Sequence, residues 1–228
     1  MTSSPASRGR MAPRLYLITP RLDDTATFAR DLERTLAAGD VAAVLLRLAD
    51  TDERSLTNRA KAVAGLVQRR DIALLLGGRP ELVGRAGADG AHLTGTAAFA
   101  AAVSALKPER IAGAGGLRSR HDAMLVSEQG ADYVMFGEPA PAADHRAAAD
   151  GGVRGGGPPF AAVVERIEWW AELVEVPCVG YAANADEIRP LAQAGADFIA
   201  LGDWIWTQPG GGETAVAAAA QILAAPGP

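Results

Sequence analysis

The chain has 228 residues, of which 49% are hydrophobic, enough to build one large α/β domain or two small ones. The formal net charge of −5 and the pI near 5.3 argue against a nucleic-acid groove or an anionic membrane surface as its partner. No apolar stretch reaches the ~18 residues of a transmembrane helix. The single cysteine, Cys178, cannot form an internal disulfide, so we expect a cytoplasmic protein.

The N-terminal segment MTSSPASRGRMAP contains Arg and Ser but no apolar centre, which is not the pattern of a secretory signal. We interpret residues 1–13 as a disordered leader and place the folded domain at 14–225. Within that domain, short apolar runs alternate with amphipathic stretches. Four runs predict strands at 14–18, 72–76, 110–115 and 176–181. The helices are predicted at 24–37, 52–69, 80–86, 97–106, 118–129, 160–174, 184–194 and 213–224.

The other four strands lie in a repeated phrase. AGADGAHL at 86–93, QGADYVMF at 129–136 and AGADFIAL at 194–201 are three copies, and AGDVAAVLLR at 38–47 is a fainter fourth. In each copy a helix ends, a glycine is expected to take the left-handed C-terminal position, and an apolar strand follows. The glycines stand at 39, 87, 130 and 195, a spacing that fits two strand–helix units per copy, with a longer insertion before the last one.

Eight strands therefore alternate with eight helices. Strands that are continuously apolar are typical of parallel sheets covered on both faces. This pattern predicts a single (β/α)₈ TIM barrel, whose functional groups lie at the carboxyl ends of the strands. A doubly wound open sheet is the alternative, but its usual six or so strands would leave two unplaced. Residues 137–158 are rich in Gly, Ala and Pro and form a long flexible flap after the sixth strand, either an active-site lid or a disordered loop.

Several phrases resemble one family in order and spacing: RLYLIT, the strand that ends at Arg47, GADGAHL, GADYVMFG and AGADFIAL. They are similar to the thiamine phosphate synthase and thiazole tautomerase family, from about Arg14 to Ala224. The resemblance implies a role in thiamine biosynthesis and a small phosphorylated heterocycle as ligand. Synthases of the family join a pyrimidine diphosphate to a thiazole phosphate around Mg²⁺ and release pyrophosphate. The resemblance also implies a homo-oligomer, with the number of subunits open.

The chain departs from the family motifs at several strand ends. LLRLA keeps Arg47 without the family's neighbouring Gln and Lys, and LGGR keeps Arg79 but has Gly78 where the family has its metal-binding Asp. HLTGTA keeps His92 but has Ala97 at the second acidic position. The cofactor is therefore unknown: the resemblance implies Mg²⁺, but the family's metal carboxylates are absent and no residue is assigned as a metal ligand.

The phosphate-binding motifs are replaced as well. The lid motif T-x-T-K becomes APAADH, with Asp144 at the second Thr, and Ala182 and Ala183 replace a Gly–Gly pair. Asp203 aligns with a phosphate-binding Ser. The carboxylates expected near the barrel mouth are Asp50, Asp122, Glu138, Asp144 and Asp203.

Four residues are candidates for substrate binding. Arg47 and Arg79 can grip a phosphate or carboxylate with their guanidinium groups, or can form salt bridges at the rim. Asp203 can contact a polar group of the ligand, and Trp204 can form an aromatic wall for a flat heterocycle or can pack in the core. Two cations and two carboxylates suit a polar ligand with one anionic group.

Glu138 and His92 are the candidate catalytic residues, as carriers of a proton. Three hypotheses follow. The chain is a synthase with relocated catalytic groups, or a metal-free tautomerase or isomerase, or a non-catalytic ligand-binding or regulatory barrel. Dependence on a metal separates the first hypothesis from the other two.

Overall fold

Eight parallel strands close into a barrel, and the structure, a computed structural model, describes residues 12–139 and 158–225. The strands follow one another around the barrel in chain order. They are β1 (Arg14–Leu22), β2 (Val41–Leu48), β3 (Ala73–Gly77), β4 (Gly90–Thr94), β5 (Ile111–Gly115), β6 (Tyr133–Phe136), β7 (Cys178–Ala182) and β8 (Phe198–Leu201). The predicted (β/α)₈ barrel is confirmed, and the open-sheet alternative is excluded because β8 pairs with β1.

The helices surround this barrel. They are α1 (Thr25–Ala37), α2 (Glu53–Gln68), α3 (Val83–Ala86), α4 (Thr96–Leu106), α5 (Arg120–Glu128), α6 (Phe160–Leu173), α7 (Ile188–Gln193), α8 (Trp204–Thr207) and α9 (Gly211–Ala224). None of the described helices is long and apolar enough to span a membrane. Residues 1–11 and 140–157, which make up most of the expected leader and flap, lie outside the described residues.

Local chemistry explains where the elements differ from prediction. The helices predicted at 80–86 and 184–194 each begin as a 3₁₀ turn, Pro80–Leu82 and Ala185–Glu187, before α3 and α7. Pro190, the third residue of α7, lacks the N–H that would donate to Asp186 O in a continuous helix, and Pro80 is the first residue of its turn, where no N–H is needed. β1 extends to Leu22 because a shift of register between Ile18 and Arg21 lets it continue beside β2. The short helix α8 was not predicted.

The aspartate of the repeated phrase has one structural task in three copies. Its carboxylate accepts the backbone N–H at the start of the preceding strand, and its own N–H donates to the carbonyl of that same residue. The pairs, with their carboxylate distances, are Asp89 with Leu74 (2.7 Å), Asp132 with Ala112 (2.8 Å) and Asp197 with Cys178 (2.8 Å). These bonds tie the strands together at their amino ends, where the residues of such barrels serve stability.

The glycines of the repeats follow the prediction in three copies. Gly87, Gly130 and Gly195 have φ angles of 69°, 97° and 99°, which is the left-handed region. Gly39 does not adopt this conformation, so the prediction is wrong for the fourth copy. A Cβ on Gly39 would lie 3.0 Å from Val216 Cγ1, so the space beside α9 favours a glycine there.

The barrel has two apolar layers. Most buried side chains lie between the strands and the helices, where Trp170, Leu74 and Val216 are fully buried. A smaller cluster fills the barrel interior and consists of Tyr16, Ile18, Ala43, Leu45, Leu75, Tyr133, Met135, Val179 and Ala200. Two tyrosines thus lie inside the barrel, Tyr16 from β1 and Tyr133 from the first position of β6.

Candidate functional site

A histidine and a glutamate form a hydrogen-bonded pair at the carboxyl end of the barrel. His92 belongs to β4 and is 3% exposed, and its Nε2 lies 2.9 Å from Glu138 Oε2. Glu138 follows β6 after Gly137, and its side chain is 12% exposed. Its second oxygen, Oε1, has a long contact of 3.5 Å with Thr94 Oγ1. The structure therefore brings together the two residues predicted to carry a proton.

Two tyrosines extend this pair into the barrel. Tyr133 OH lies 2.8 Å from His92 Nδ1 and 2.8 Å from Tyr16 OH. The His92 and Tyr133 rings stack with centroids 5.7 Å apart. Burial raises the pKa of both phenols far above the usual value of a tyrosine, so both stay protonated. They act as neutral hydrogen-bonding groups behind His92.

Glycines in β5 leave the space that this arrangement occupies. A Cβ on Gly113 would lie 2.0 Å from Tyr133 Cζ, inside the ring. A Cβ on Gly115 would lie 2.6 Å from His92 Nε2 and 2.7 Å from Glu138 Cδ. Any larger residue at these two positions would displace the tyrosine or the pair.

Arg47 and Asp203 also meet at the mouth. Arg47 extends from β2, and its Nη2 forms a salt bridge with the Asp203 carboxylate, while its Nε donates to Thr19 O at 2.6 Å. The side chains of Arg47 and Asp203 are 33% and 65% exposed. An exposed ion pair of this kind contributes only ~0–1 kcal/mol to stability, so another anion can replace Asp203 on the guanidinium.

Arg79 is paired in the same manner. Its guanidinium contacts the carboxylate of Asp50, which also lies 3.6 Å from Arg21 Nη1. Both predicted anion-binding arginines are therefore held by carboxylates of the chain itself. The two predicted carboxylates Glu138 and Asp203 do not share one partner, since Glu138 binds a histidine and Asp203 an arginine.

Tyr181 lies between these pairs, and sequence reasoning missed it. Burial raises the pKa of its phenol, the charge of Asp203 raises it further, and that of Arg47 opposes this. A Cβ on Gly202 would lie 2.4 Å from Tyr181 OH, so this glycine makes room for the hydroxyl. The sequence feature that could have revealed Tyr181 is the alternation of side chains along β7. It directs Val179 and Tyr181 to the barrel interior and Cys178 and Ala182 outward.

The tryptophans after β8 hold the rim together. Trp204 is half-buried, packs against the outer core, and donates its indole N–H to Ala182 O at 2.9 Å. Trp206 donates to Ile18 O at 2.8 Å and packs edge-on against Phe28. Trp204 therefore packs in the core, which is one of its two predicted roles, and its indole N–H bonds to the backbone. Its other predicted role, as an aromatic wall for a heterocycle, stays a prediction.

The comparisons with known proteins agree with this architecture. A family model described as thiamine monophosphate synthase matches residues 15–205 of the chain. The chain belongs to this family. The resemblance read from the sequence is thereby confirmed, and thiamine biosynthesis is the setting of the protein.

Members of the thiamine monophosphate synthase family match over nearly their whole length. The thiamine-phosphate synthase of Rhodospirillum centenum is 39% identical over 206 residues, which cover 90% of this chain and 94% of the relative. That of Hyphomonas neptunium is 36% identical and covers 96% of both chains. In fold, the thiamine phosphate pyrophosphorylase of Pyrococcus furiosus superposes with a TM-score of 0.70 at 21% identity, covering 92% of this chain and 95% of that one.

The described residues do not fit a metal site of the kind that the family resemblance implies. Within residues 12–139 and 158–225, no group of three or more His, Cys, Asp or Glu side chains could hold a metal ion. Glu138, Asp203 and Asp50 each bind a histidine or an arginine, and Asp122 closes the capping box of α5 with Ser119. Asp144 lies outside the described residues.

Proposed function

We propose that this member of the thiamine monophosphate synthase family binds a phosphorylated thiazole- or pyrimidine-type ligand at the barrel mouth and moves a proton on it through Glu138. The observation that carries the proposal is the buried hydrogen bond between His92 and Glu138 at the carboxyl ends of β4 and β6. Enzymes with this barrel keep their catalytic groups at that end.

The geometry of Glu138 suits general acid–base chemistry. Oε2 is held by His92 Nε2, while Oε1 lies near the exposed Thr94 and is the oxygen available to a ligand. A carboxylate fixed in this way can accept a proton at one ligand atom and return it at another, so atoms and charge balance without a co-reactant. Isomerisation of a thiazole phosphate is a reaction of this type.

The arginines favour a ligand with one anionic group. Arg47 pairs with Asp203 at the mouth, and Arg79 and Arg21 both face Asp50. A phosphate can displace the exposed Asp203 carboxylate from Arg47 at little cost in free energy. A second negative group would meet the Asp203 and Glu138 carboxylates, while Arg79 and Arg21 already face Asp50.

The second candidate function is the formation of thiamine phosphate. It is favoured by the relatives themselves, since the proteins from Rhodospirillum centenum and Hyphomonas neptunium are named thiamine-phosphate synthases and align along most of this chain. That reaction joins two heterocycles and has to stabilise the pyrophosphate that leaves, a task for cations. We rank it second because Arg47 and Arg79, the two predicted anion-binding arginines, are already paired with carboxylates.

Calorimetric titration of the full chain with thiazole phosphate and with thiamine phosphate, each with and without Mg²⁺, separates these functions. Micromolar binding of thiazole phosphate without metal, together with its isomerisation, is the expected result. Binding that requires Mg²⁺, with thiamine phosphate formed from the two heterocycles, would support the synthase instead. Binding without turnover would indicate a regulatory barrel, and absence of binding would refute the proposed ligand class.

The variant Glu138→Gln tests the role of the carboxylate. The amide oxygen keeps the hydrogen bond to His92 but cannot take up the proton, so we expect turnover to fall by ~10²–10⁴. Affinity should stay within about threefold, less than 1 kcal/mol. Glu33→Gln, the same change on the exposed face of α1, is the matched control and should leave both values unchanged.

A further inference from the structure

A row of four hydrogen-bonding side chains runs from the barrel interior to its mouth. Tyr16 OH lies 2.8 Å from Tyr133 OH, Tyr133 OH lies 2.8 Å from His92 Nδ1, and His92 Nε2 lies 2.9 Å from Glu138 Oε2. Tyr16, Tyr133 and His92 are 2%, 7% and 3% exposed, so bulk water is not an alternative partner. Among the residues the structure describes, Tyr133 is the hydrogen-bond partner of the Tyr16 hydroxyl.

Counting protons decides the direction of this row. If the Tyr16 hydroxyl donates to Tyr133, then Tyr133 donates to His92 Nδ1, and His92 Nε2–H donates to the Glu138 carboxylate. Every buried O–H and N–H of the row then has an acceptor. The row ends on a carboxylate, which accepts hydrogen bonds and has no proton to donate.

The opposite direction leaves a proton without an acceptor. If His92 Nδ1 carries a proton, it donates to the oxygen of Tyr133, and Tyr133 then donates to Tyr16. The Tyr16 proton would then have no acceptor among the described side chains, since Tyr16 belongs to the interior cluster with apolar residues such as Ile18 and Leu75. A buried donor without an acceptor is costly, and the same cost arises when both ring nitrogens are protonated.

We infer that Tyr133 is a positioning residue, which donates to His92 Nδ1 and holds the neutral imidazole with its proton on Nε2, directed at Glu138. The tautomer follows from the row alone. The consequence for chemistry rests on the proposed function: Glu138, and not His92, is the group that exchanges a proton with the ligand. His92 fixes the carboxylate, and Tyr133 fixes His92.

The composition of β5 also supports a specific role for this row of side chains. Its inward positions at the level of the row are Gly113 and Gly115, and a Cβ at these positions would overlap Tyr133 and the His92–Glu138 pair respectively. A strand that only filled the barrel could carry larger apolar residues there, as β2 does with Ala43 and Leu45.

Nuclear magnetic resonance of the ligand-free full chain, labelled with ¹⁵N-histidine, tests the tautomer at about pH 8. The chain has three histidines, and the signals of His92 are those lost in His92→Gln. We expect a protonated Nε2 and an unprotonated Nδ1 that accepts a hydrogen bond. A proton on Nδ1, or on both nitrogens, would overturn the inference. This measurement needs neither ligand nor activity.

Two tyrosine variants then separate positioning from mere packing. Tyr133→Phe and Tyr16→Phe each remove one buried hydroxyl from the row, but only Tyr133 contacts His92. Tyr133→Phe should shift the Nδ1 resonance and lower kcat by ~10–100-fold, as loss of an orienting hydrogen bond does in other sites, with KM changed less than threefold. Tyr16→Phe should leave the Nδ1 resonance of His92 close to that of the wild type and should lower kcat less than Tyr133→Phe does, because Tyr16 reaches His92 only through Tyr133.

The outcomes distinguish the two claims. An equal loss of kcat in both variants, or an unchanged Nδ1 resonance in folded Tyr133→Phe, would overturn the role of Tyr133. The expected tautomer in a protein that binds but does not isomerise thiazole phosphate would refute the proposed reaction and support the assignment of the row. Circular dichroism of each variant shows whether it is folded.

Discussion

Replacement of Gly115 by alanine tests how tightly the His92–Glu138 pair is packed. The added Cβ would lie 2.6 Å from His92 Nε2 and 2.7 Å from Glu138 Oε1, so both side chains have to move by about 0.7–0.8 Å to reach ordinary contact. Overpacking of this kind costs ~1–3 kcal/mol. His92 cannot retreat freely, because Tyr133 OH lies 2.8 Å behind it.

The pair itself adds to this cost. Separation of His92 from Glu138 would remove a hydrogen bond to a charged group, worth ~1.5–3 kcal/mol. We therefore expect the free energy of unfolding to fall by ~2–5 kcal/mol in Gly115→Ala. Urea unfolding followed by tryptophan fluorescence measures this change as a lower midpoint with an unchanged slope.

Gly65→Ala is the matched control, because it adds the same methyl group within α2, in its last turn. The nearest atom to that Cβ, Arg69 Nη1, is 3.6 Å away, which is ordinary contact. Alanine is favoured over glycine in a helix interior by ~0.5–1 kcal/mol, so this variant should be more stable than the wild type. A Gly115→Ala midpoint equal to or above that of the wild type would refute the packing argument.

Three further predictions concern the mouth, the interior and the amino end of the barrel. Asp203→Asn should strengthen binding of thiazole phosphate about five- to tenfold in calorimetry, since the ligand no longer competes with a carboxylate for Arg47; weaker binding would contradict this. Because burial raises the pKa of Tyr16 and Tyr133 in the folded chain, the folded state keeps protons that the unfolded state loses above about pH 10. Stability should be full below that pH and fall above it by ~1.4 kcal/mol per pH unit for each phenol, and equal urea midpoints at about pH 8 and pH 11 would disprove it. Asp197→Ala should lower the free energy of unfolding by ~1–3 kcal/mol by leaving a buried strand amide without its acceptor, while calorimetry finds ligand affinity unchanged; a stable variant would refute it.

The fold could be predicted from the sequence because the same local chemistry recurs along the chain. Three of the eight strands are predicted by a repeated pattern: a glycine that ends a helix, then an aspartate, then an apolar run. The remaining strands lie at regular spacing before and between these three. The prediction failed at Gly39, where close packing against Val216 and Leu15, and not backbone conformation, explains the glycine. Contacts between distant elements of this kind are not visible in a local pattern.

The site could be predicted only in part, for the same reason. Glu138 and His92 were found because they follow or belong to strands whose carboxyl ends meet. Tyr133 and Tyr16 were missed, because a tyrosine in an apolar strand reads as packing material, and their hydrogen bond joins residues 117 positions apart. Salt bridges at the rim were one of the two alternatives for Arg47 and Arg79, but which carboxylate each arginine contacts depends on loop geometry that the sequence does not encode locally.

The overlap between Gly113 and the Tyr133 ring also restricts the order in which this site can evolve. A Cβ on Gly113 would lie 2.0 Å from Tyr133 Cζ, so a substitution at that glycine has to displace the aromatic ring. A smaller residue in place of Tyr133 would relieve this overlap, but it would remove the hydroxyl that contacts His92. The two positions are therefore strongly epistatic, since substitutions in contact do not act additively. A lineage that fills Gly113 is therefore expected to displace or lose the tyrosine that positions His92, and recovery of that tyrosine would require the glycine again.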